Sequence, residues 1–202
     1  MIKAVIWDND GVVNHSPGYY SDKLIENHNL DRAEVEKFFK DTFVPHCMSG
    51  KADLKEELHK LFPVWGVEGT VEDILLDWFT HEDCKDTEII LLITALREKG
   101  IKQYMGTNNE IYRTQYLRNE MGFNELFDAV FSAGELQVKK PDIGFYEAID
   151  VALKKEGIKR NEVLYIDDCE KNIAAGEAFG FACHLFENRD KLLARMRELG
   201  LK

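Results

Sequence analysis

Along this 202-residue chain, apolar and polar positions define a strand-like start, a helical stretch, and a long region where the two patterns alternate. Residues 4–7, Ala-Val-Ile-Trp, form the short continuous apolar run expected of a parallel strand buried on both faces. Residues 15–86 then carry apolar side chains at helical spacing, with no strand-like alternation. Asp31, with Glu34 three residues on, resembles an N-cap with a capping box, and it leads into Val35, Phe38, Phe39 and Phe43. A second amphipathic pattern covers 54–62 and should end at Pro63 and Gly66, while Thr70 can cap a third carrying Ile74, Leu75, Trp78 and Phe79. From Thr87, expected as the cap of a helix over 88–99, helices and strands alternate. Strands are predicted at 101–105, 129–133, 163–166 and 182–186, and helices at 111–121, 143–155, 173–179 and 189–199. This order predicts an α/β fold with a parallel sheet and helices on both faces, interrupted early by a helical insertion.

Composition narrows the classes. With 45% hydrophobic and 31% charged residues the chain reads as a soluble globular protein. No apolar run approaches the ~20 residues that span a bilayer, and no leader-like segment precedes the first strand, so a cytoplasmic protein without a membrane partner is expected. The four cysteines form no CxxC pair, which leaves reduced structural thiols as the expectation. A net charge of -11 argues against a nucleic-acid partner. Most of that charge sits in residues 15–86, with 16 Asp and Glu against 8 Lys and Arg.

Polar groups recur where the predicted strands end. Asp8 and Asp10 follow the first, Thr107 and Asn108 the second, and Asp167 and Asp168 the strand at 163–166, with Lys139 and Lys140 standing before a helix. Taken alone, Asp-Asn-Asp-Gly reads equally well as a solvated turn or as a site, because these are also the commonest turn residues. If the strand persists to Asp10, Asp8 and Asp10 project to one side. In a parallel sheet the carboxyl ends of the strands share one edge, so all these groups can converge there. Several carboxylates in one pocket call for a cation, and hard oxygen ligands beside a phosphate suit Mg²⁺. A carboxylate nucleophile, a metal, a lysine and a hydroxyl are the parts of phosphoryl transfer.

In order, the segments DNDGV, Thr107-Asn108, Lys140-Pro141-Asp142 and Ile166-Asp167-Asp168 resemble the four signature motifs of the haloacid dehalogenase (HAD) superfamily. The resemblance implies a Rossmann-like parallel sheet core, residues 1–14 and 87–202, with a small all-helical cap domain, residues 15–86. It further implies an Mg²⁺-dependent phosphomonoester hydrolase acting on a small metabolite such as a sugar monophosphate. Asp8 would be the nucleophile that becomes an aspartyl phosphate, and Asp10 the general acid and then base. Thr107, the Asn108 amide and Lys140 would bind phosphoryl oxygens, with Lys140 preferred to Lys139 because the family's lysine commonly precedes proline. The metal would be held by Asp8, the backbone carbonyl of Asp10 and Asp168, with Asp167 acting through water or orienting Lys140. Dehalogenases of this superfamily typically lack the second aspartate, so Asp10 points away from dehalogenation.

Alternative readings are a phosphomutase on a sugar phosphate and a non-catalytic binding protein on the same fold. The cap aromatics Phe38, Phe39, Phe43, Trp65, Trp78 and Phe79 are expected to form a small helical core. The six histidines show no metal-binding spacing, and only His15, five residues beyond Asp10, merits a test near the site.

Overall fold

The structure, a computed structural model, describes residues 1–201. Five parallel strands form one sheet: β1 (Ala4–Trp7), β2 (Lys102–Thr107), β3 (Ala129–Ser132), β4 (Val163–Asp167) and β5 (Ala182–Leu185). Their order is β3-β2-β1-β4-β5, with two single-turn helices, α7 (Phe123–Leu126) and α8 (Ala133–Leu136), before and after β3. The chain winds outward from β1 through β2 to β3, then crosses to β4 and β5. The switch point therefore lies beside β1, where open α/β sheets leave a crevice.

Both faces of the sheet are covered, which explains the continuous apolar run at 4–7. Val5 and Trp7 pack on one face with Ile89 and Ile93 of α5 (Thr87–Glu98), Leu117 of α6 (Ile111–Asn119) and Leu192 of α11 (Arg189–Glu198). Ala4 and Ile6 pack on the other, with Phe145 and Ile149 of α9 (Ile143–Lys155) and Phe179 of α10 (Glu170–Phe179). Trp7 is fully buried, and its indole N–H finds the acceptor it needs in Gln103 Oε1 at 2.8 Å, which ties β1 to β2.

Between β1 and α5 the chain forms α1 (Tyr20–His28), α2 (Arg32–Phe38), a π-helical segment (Phe39–Cys47), α3 (Leu54–Trp65) and α4 (Val71–His81). These surround a core of their own that includes Val35, Phe38, Leu58, Trp65, Trp78 and Phe79, with Phe39 and Phe43 packed against it. Local signals differ from expectation in instructive ways. Asp31 caps α2 through the N–H groups of Ala33 and Glu34, but the pattern expected to continue to Phe43 gives way to π geometry, with Met48 N–H bonding Phe43 O at 2.8 Å. Pro63 lies inside α3 at an exposed position of its last turn, and Gly66 in the left-handed region ends the helix. Asp86 rather than Thr87 caps α5, accepting from Glu88 and Ile89 N–H. Thr70 caps α4 as expected, with Asp73 completing the capping box.

The helical unit docks on α6. Buried Arg113 donates to the carbonyls of Phe79 at 2.7 Å and Glu82 at 3.1 Å, and its guanidinium lies over the Phe79 and Tyr116 rings. Tyr112 donates its hydroxyl to Asp53 at 2.6 Å, and Lys139 Nζ donates to Val44 O at 3.2 Å. At the two linkers, Asn14 pairs with Lys85, and its side chain bonds Glu82 O and Cys84 N–H, each at 2.8 Å. Gly50 comes so close to Gly134 that a Cβ on it would sit 2.2 Å from the Gly134 carbonyl oxygen.

Beneath this contact lies Glu110, 3% exposed, whose carboxylate caps α6 by accepting from Tyr112 and Arg113 N–H. Burial outweighs those donors and pushes its pKa up to about 7, with Asp53 adding to the rise. A carboxyl raised in the folded state leaves stability fully present below its unfolded value and loses it as pH climbs toward 7. Glu110→Gln keeps an acceptor oxygen for one of the two N–H groups and removes the charge. Urea unfolding between pH 5 and 8 should show the parent losing roughly 3 kcal/mol relative to this variant as pH rises. Parallel curves for the two proteins would contradict the assignment.

Candidate active site

Two carboxylates meet because alternation along the strands places them on one face, and a lysine from a turn joins them. Ile6 and Tyr165 point toward α9 and α10, and Asp8 and Asp167 follow them two positions later. Gly106 leaves room on that face, where a Cβ would meet Phe145 at 3.2 Å and Ile6 at 3.3 Å. Lys140 fills the space between the strand ends. Its Nζ lies 2.7 Å from Asp8 Oδ1, 2.7 Å from Asp167 Oδ2 and 2.8 Å from Gly106 O. All three donors of a fully buried ammonium are thereby used.

Asn108 fixes the main chain of Lys140. Its side-chain carbonyl accepts from Lys140 N–H at 2.9 Å, and its amide donates to Lys140 O at 3.1 Å. With the side chain so committed, what Asn108 can offer a phosphoryl oxygen is its main-chain N–H. Lys139, expected in solvent, is half-buried against Val44, so only Lys140 of the pair reaches the carboxylates.

Carboxylate oxygens of Asp8, Asp167 and Asp168 lie within 4.8 Å of one another. Asp167 is heavily engaged: it accepts from Lys140, from the Tyr165 hydroxyl, from Cys169 N–H at 2.9 Å and from the Asn172 amide at 3.0 Å. Asp168 is more open and stands against Gly11, where a Cβ would fall 2.2 Å from its Oδ2. Gly11 has φ +85, a conformation that other residues rarely adopt.

The strand does not persist to Asp10 as the same-side reading required. β1 ends at Trp7, and a turn follows in which Asn9 O accepts from Val12, Val13 and Asn14 N–H. Asp10 thus sits apart from the cluster, exposed, with Oδ1 taken by the Asn9 amide at 2.8 Å and Oδ2 by the Asn109 amide at 2.9 Å. Asn109 also donates to Thr107 Oγ1 at 2.6 Å. His15 points elsewhere, pairing with Asp86 at 3.3 Å and stacking on Phe186.

Charge in the pocket is unbalanced toward the acid side. Burial alone would depress Lys140, but Asp8 and Asp167 outweigh it and raise its pKa. Burial likewise opposes the ionised form of Asp167, yet Lys140 and the hydrogen-bond donors hold its pKa below the ordinary value. Lys140 and Asp167 therefore form the settled ion pair. Asp8 is the carboxylate left over: burial raises its pKa well above the usual range despite Lys140, and Asp167 adds to the rise. Asp168 is raised by burial and by Asp167. A site with more carboxylates than ammonium groups, their oxygens converging, suits a hard divalent cation.

Sequence reasoning identified the ends of β1, β2 and β4 but missed Asn9, Asn109, Tyr165 and Asn172. Tyr165 was findable, because it precedes Asp167 by two on the same strand. The three asparagines carried no periodic signal.

A family model for haloacid dehalogenase-like hydrolases matches residues 2–180, and the chain belongs to this family. Among curated relatives, it is 32% identical over 134 residues to the sesquiterpene phosphatase astK of Aspergillus oryzae, covering 65% of each chain. It is 33% identical over 94 residues to a phosphoglycolate phosphatase of Cereibacter sphaeroides, covering 46% of this chain and 41% of the relative. The matches thus span less than two thirds of either relative. Among solved structures, a predicted HAD-like family hydrolase from Porphyromonas gingivalis superposes with TM-score 0.78 at 22% identity, covering 98% of both chains. A HAD family enzyme from Bacteroides thetaiotaomicron, in complex with magnesium and inorganic phosphate, gives TM-score 0.77 at 20% identity, covering 95% of this chain and 99% of that one. At these identities the likeness is one of fold. Among the described residues, no helix is long and apolar enough to cross a membrane.

Proposed function

We propose that the chain is a Mg²⁺-dependent phosphomonoester hydrolase working through an aspartyl phosphate on Asp8. The observation that carries this reading is the placement of Asp8 at the sheet's switch point, 2.7 Å from a buried lysine and within 4.8 Å of two further carboxylates. Asp8 and Asp168, with the main-chain carbonyl of Asp10, would hold Mg²⁺, and Asp167 would fix Lys140. When bound, the ion supplies positive charge for the nucleophile and the phosphoryl oxygens.

Asp8 attacks phosphorus while Lys140 balances charge on both the carboxylate and the transferring group. The Thr107 hydroxyl donates to a phosphoryl oxygen. Asp10 protonates the departing alcohol as the P–O bond breaks, then takes a proton from the water that hydrolyses the aspartyl phosphate. Residues 15–86 act as a cap over the 1–14 and 87–202 core, and substrate choice resides in that cap. Its acidic balance, 16 against 8, disfavours polyanionic substrates and fits a monophosphate with a neutral polar body, such as a sugar monophosphate. The names of the two relatives share only the phosphate end, which supports the reaction class more than the substrate body.

Phosphate release from a panel of monoesters, followed by Mg²⁺ titration after chelation, tests this reading. Activity should vanish with chelator and return with Mg²⁺. Gly11→Ala should weaken Mg²⁺ by about 10- to 100-fold, because the new methyl group drives Asp168 from its position. Metal-independent release, or unchanged Mg²⁺ dependence in the variant, would count against the assigned ligands.

A further inference from the structure

We infer that Asn109 is a positioning residue that couples the phosphate-binding hydroxyl of Thr107 to the acid/base carboxylate of Asp10. The inference rests on the phosphatase reading above and deepens it. An asparagine amide has two N–H donors, and both are spent inside the site. One goes to Thr107 Oγ1 at 2.6 Å and the other to Asp10 Oδ2 at 2.9 Å.

These two bonds have different consequences. Because Thr107 Oγ1 accepts from Asn109, its own hydrogen is directed away from that amide and toward a bound phosphoryl oxygen. Asp10 lies beyond the end of β1, on an exposed turn whose main chain is held by an isolated bridge to Asn14 rather than by the sheet. Its carboxylate is oriented instead from both sides, by Asn9 at Oδ1 and by Asn109 at Oδ2. Each oxygen keeps a lone pair for the proton it gives to the alcohol and later takes from water. The main chain of Asn109 is itself anchored, since its backbone carbonyl accepts from Gly134 N–H at 3.0 Å and a Cβ on Gly134 would fall 2.9 Å from the adjoining Glu110 Cα. The side chain can therefore hold Asp10 at a fixed distance from the phosphate site. That is the placement protonation of a leaving oxygen requires.

The test compares kcat/KM for p-nitrophenyl phosphate, whose leaving group needs no protonation, with glucose 6-phosphate or glycerol phosphate, whose alkoxide does. This parameter reports through phosphorylation, so the later hydrolytic step does not obscure it. Asn109→Ala should lower the alkyl-to-aryl ratio by about tenfold or more, a part of what a general acid contributes, and Asp10→Asn should lower it further. Thr107→Val should weaken both substrates alike. A merely structural loss in Asn109→Ala would reduce both substrates equally, leave the ratio unchanged and overturn the inference. If Asp10→Asn itself leaves the ratio unchanged, Asp10 is not the acid and the inference falls with that role. Should the parent release phosphate from none of these esters, the phosphatase reading fails and carries the inference with it.

Discussion

Asp8→Asn is expected to lower phosphate release by about 10⁴-fold or more, the range lost when a covalent nucleophile is removed, without unfolding the protein. Asparagine has nearly the shape of aspartate but no anionic oxygen to attack phosphorus. Its carbonyl can still accept from Asn9 N–H, the bond that Asp8 Oδ1 makes at 2.7 Å. Lys140 keeps Asp167 and Gly106 O as partners. Asp8 is the carboxylate whose ionisation the metal-free pocket opposes. A raised pKa leaves stability fully present at low pH and removes it as pH rises, so the variant should equal or exceed the parent in thermal stability without Mg²⁺ near neutral pH. Activity and stability thus move in opposite directions, as expected where a strained charge serves function. Urea or thermal unfolding beside the release assay checks both halves.

Lys140→Met should have the opposite stability effect and a comparable effect on turnover. Methionine is similar in length and apolar, so little volume is lost. The change strands Asp8 and Asp167 in a buried pocket without their cation. Breaking a buried pair in this way costs about 3–5 kcal/mol, so a clear fall in the unfolding midpoint is expected. Turnover falls because nothing neutralises the attacking carboxylate and the transferring group. Lys140→Arg should not restore activity, since a planar fork cannot satisfy three acceptors that converge on one ammonium. Lys139→Met, by contrast, removes only the bond to Val44 and should leave turnover near the parent's. Equal losses at 139 and 140 would contradict the assignment of the lysine.

Much of this was legible in the sequence where one element dictates its own placement. The run at 4–7 is apolar throughout because both faces of β1 are covered, and the carboxyl ends of β1, β2 and β4 could be read as one edge before any coordinates. Capping chemistry located α4 through Thr70, to which the structure adds Asp73 as capping-box partner. Three features were hidden for physical reasons. The π-helical segment carrying Pro45 has a wider turn than periodicity at 3.6 residues can report. The turn at Asn9 removes Asp10 from the strand's alternation, so its place depends on Asn109, 99 residues away. The sequence carries no sign that Glu110 is buried, because its burial comes from the helical unit packing over it through Gly50 and Gly134.

The nucleophile is the centre of the account, and trapping its phosphorylated form tests it most directly. In Asp10→Asn, with p-nitrophenyl phosphate and Mg²⁺, phosphorylation proceeds without a general acid while hydrolysis lacks its base, so the covalent form should accumulate. Acid quenching followed by peptide mass spectrometry is expected to find one phosphoryl group on the peptide carrying Asp8, absent when Asp8 is also changed to Asn. A phosphoryl group on another residue, or turnover by Asp8→Asn at the parent's rate, would contradict it.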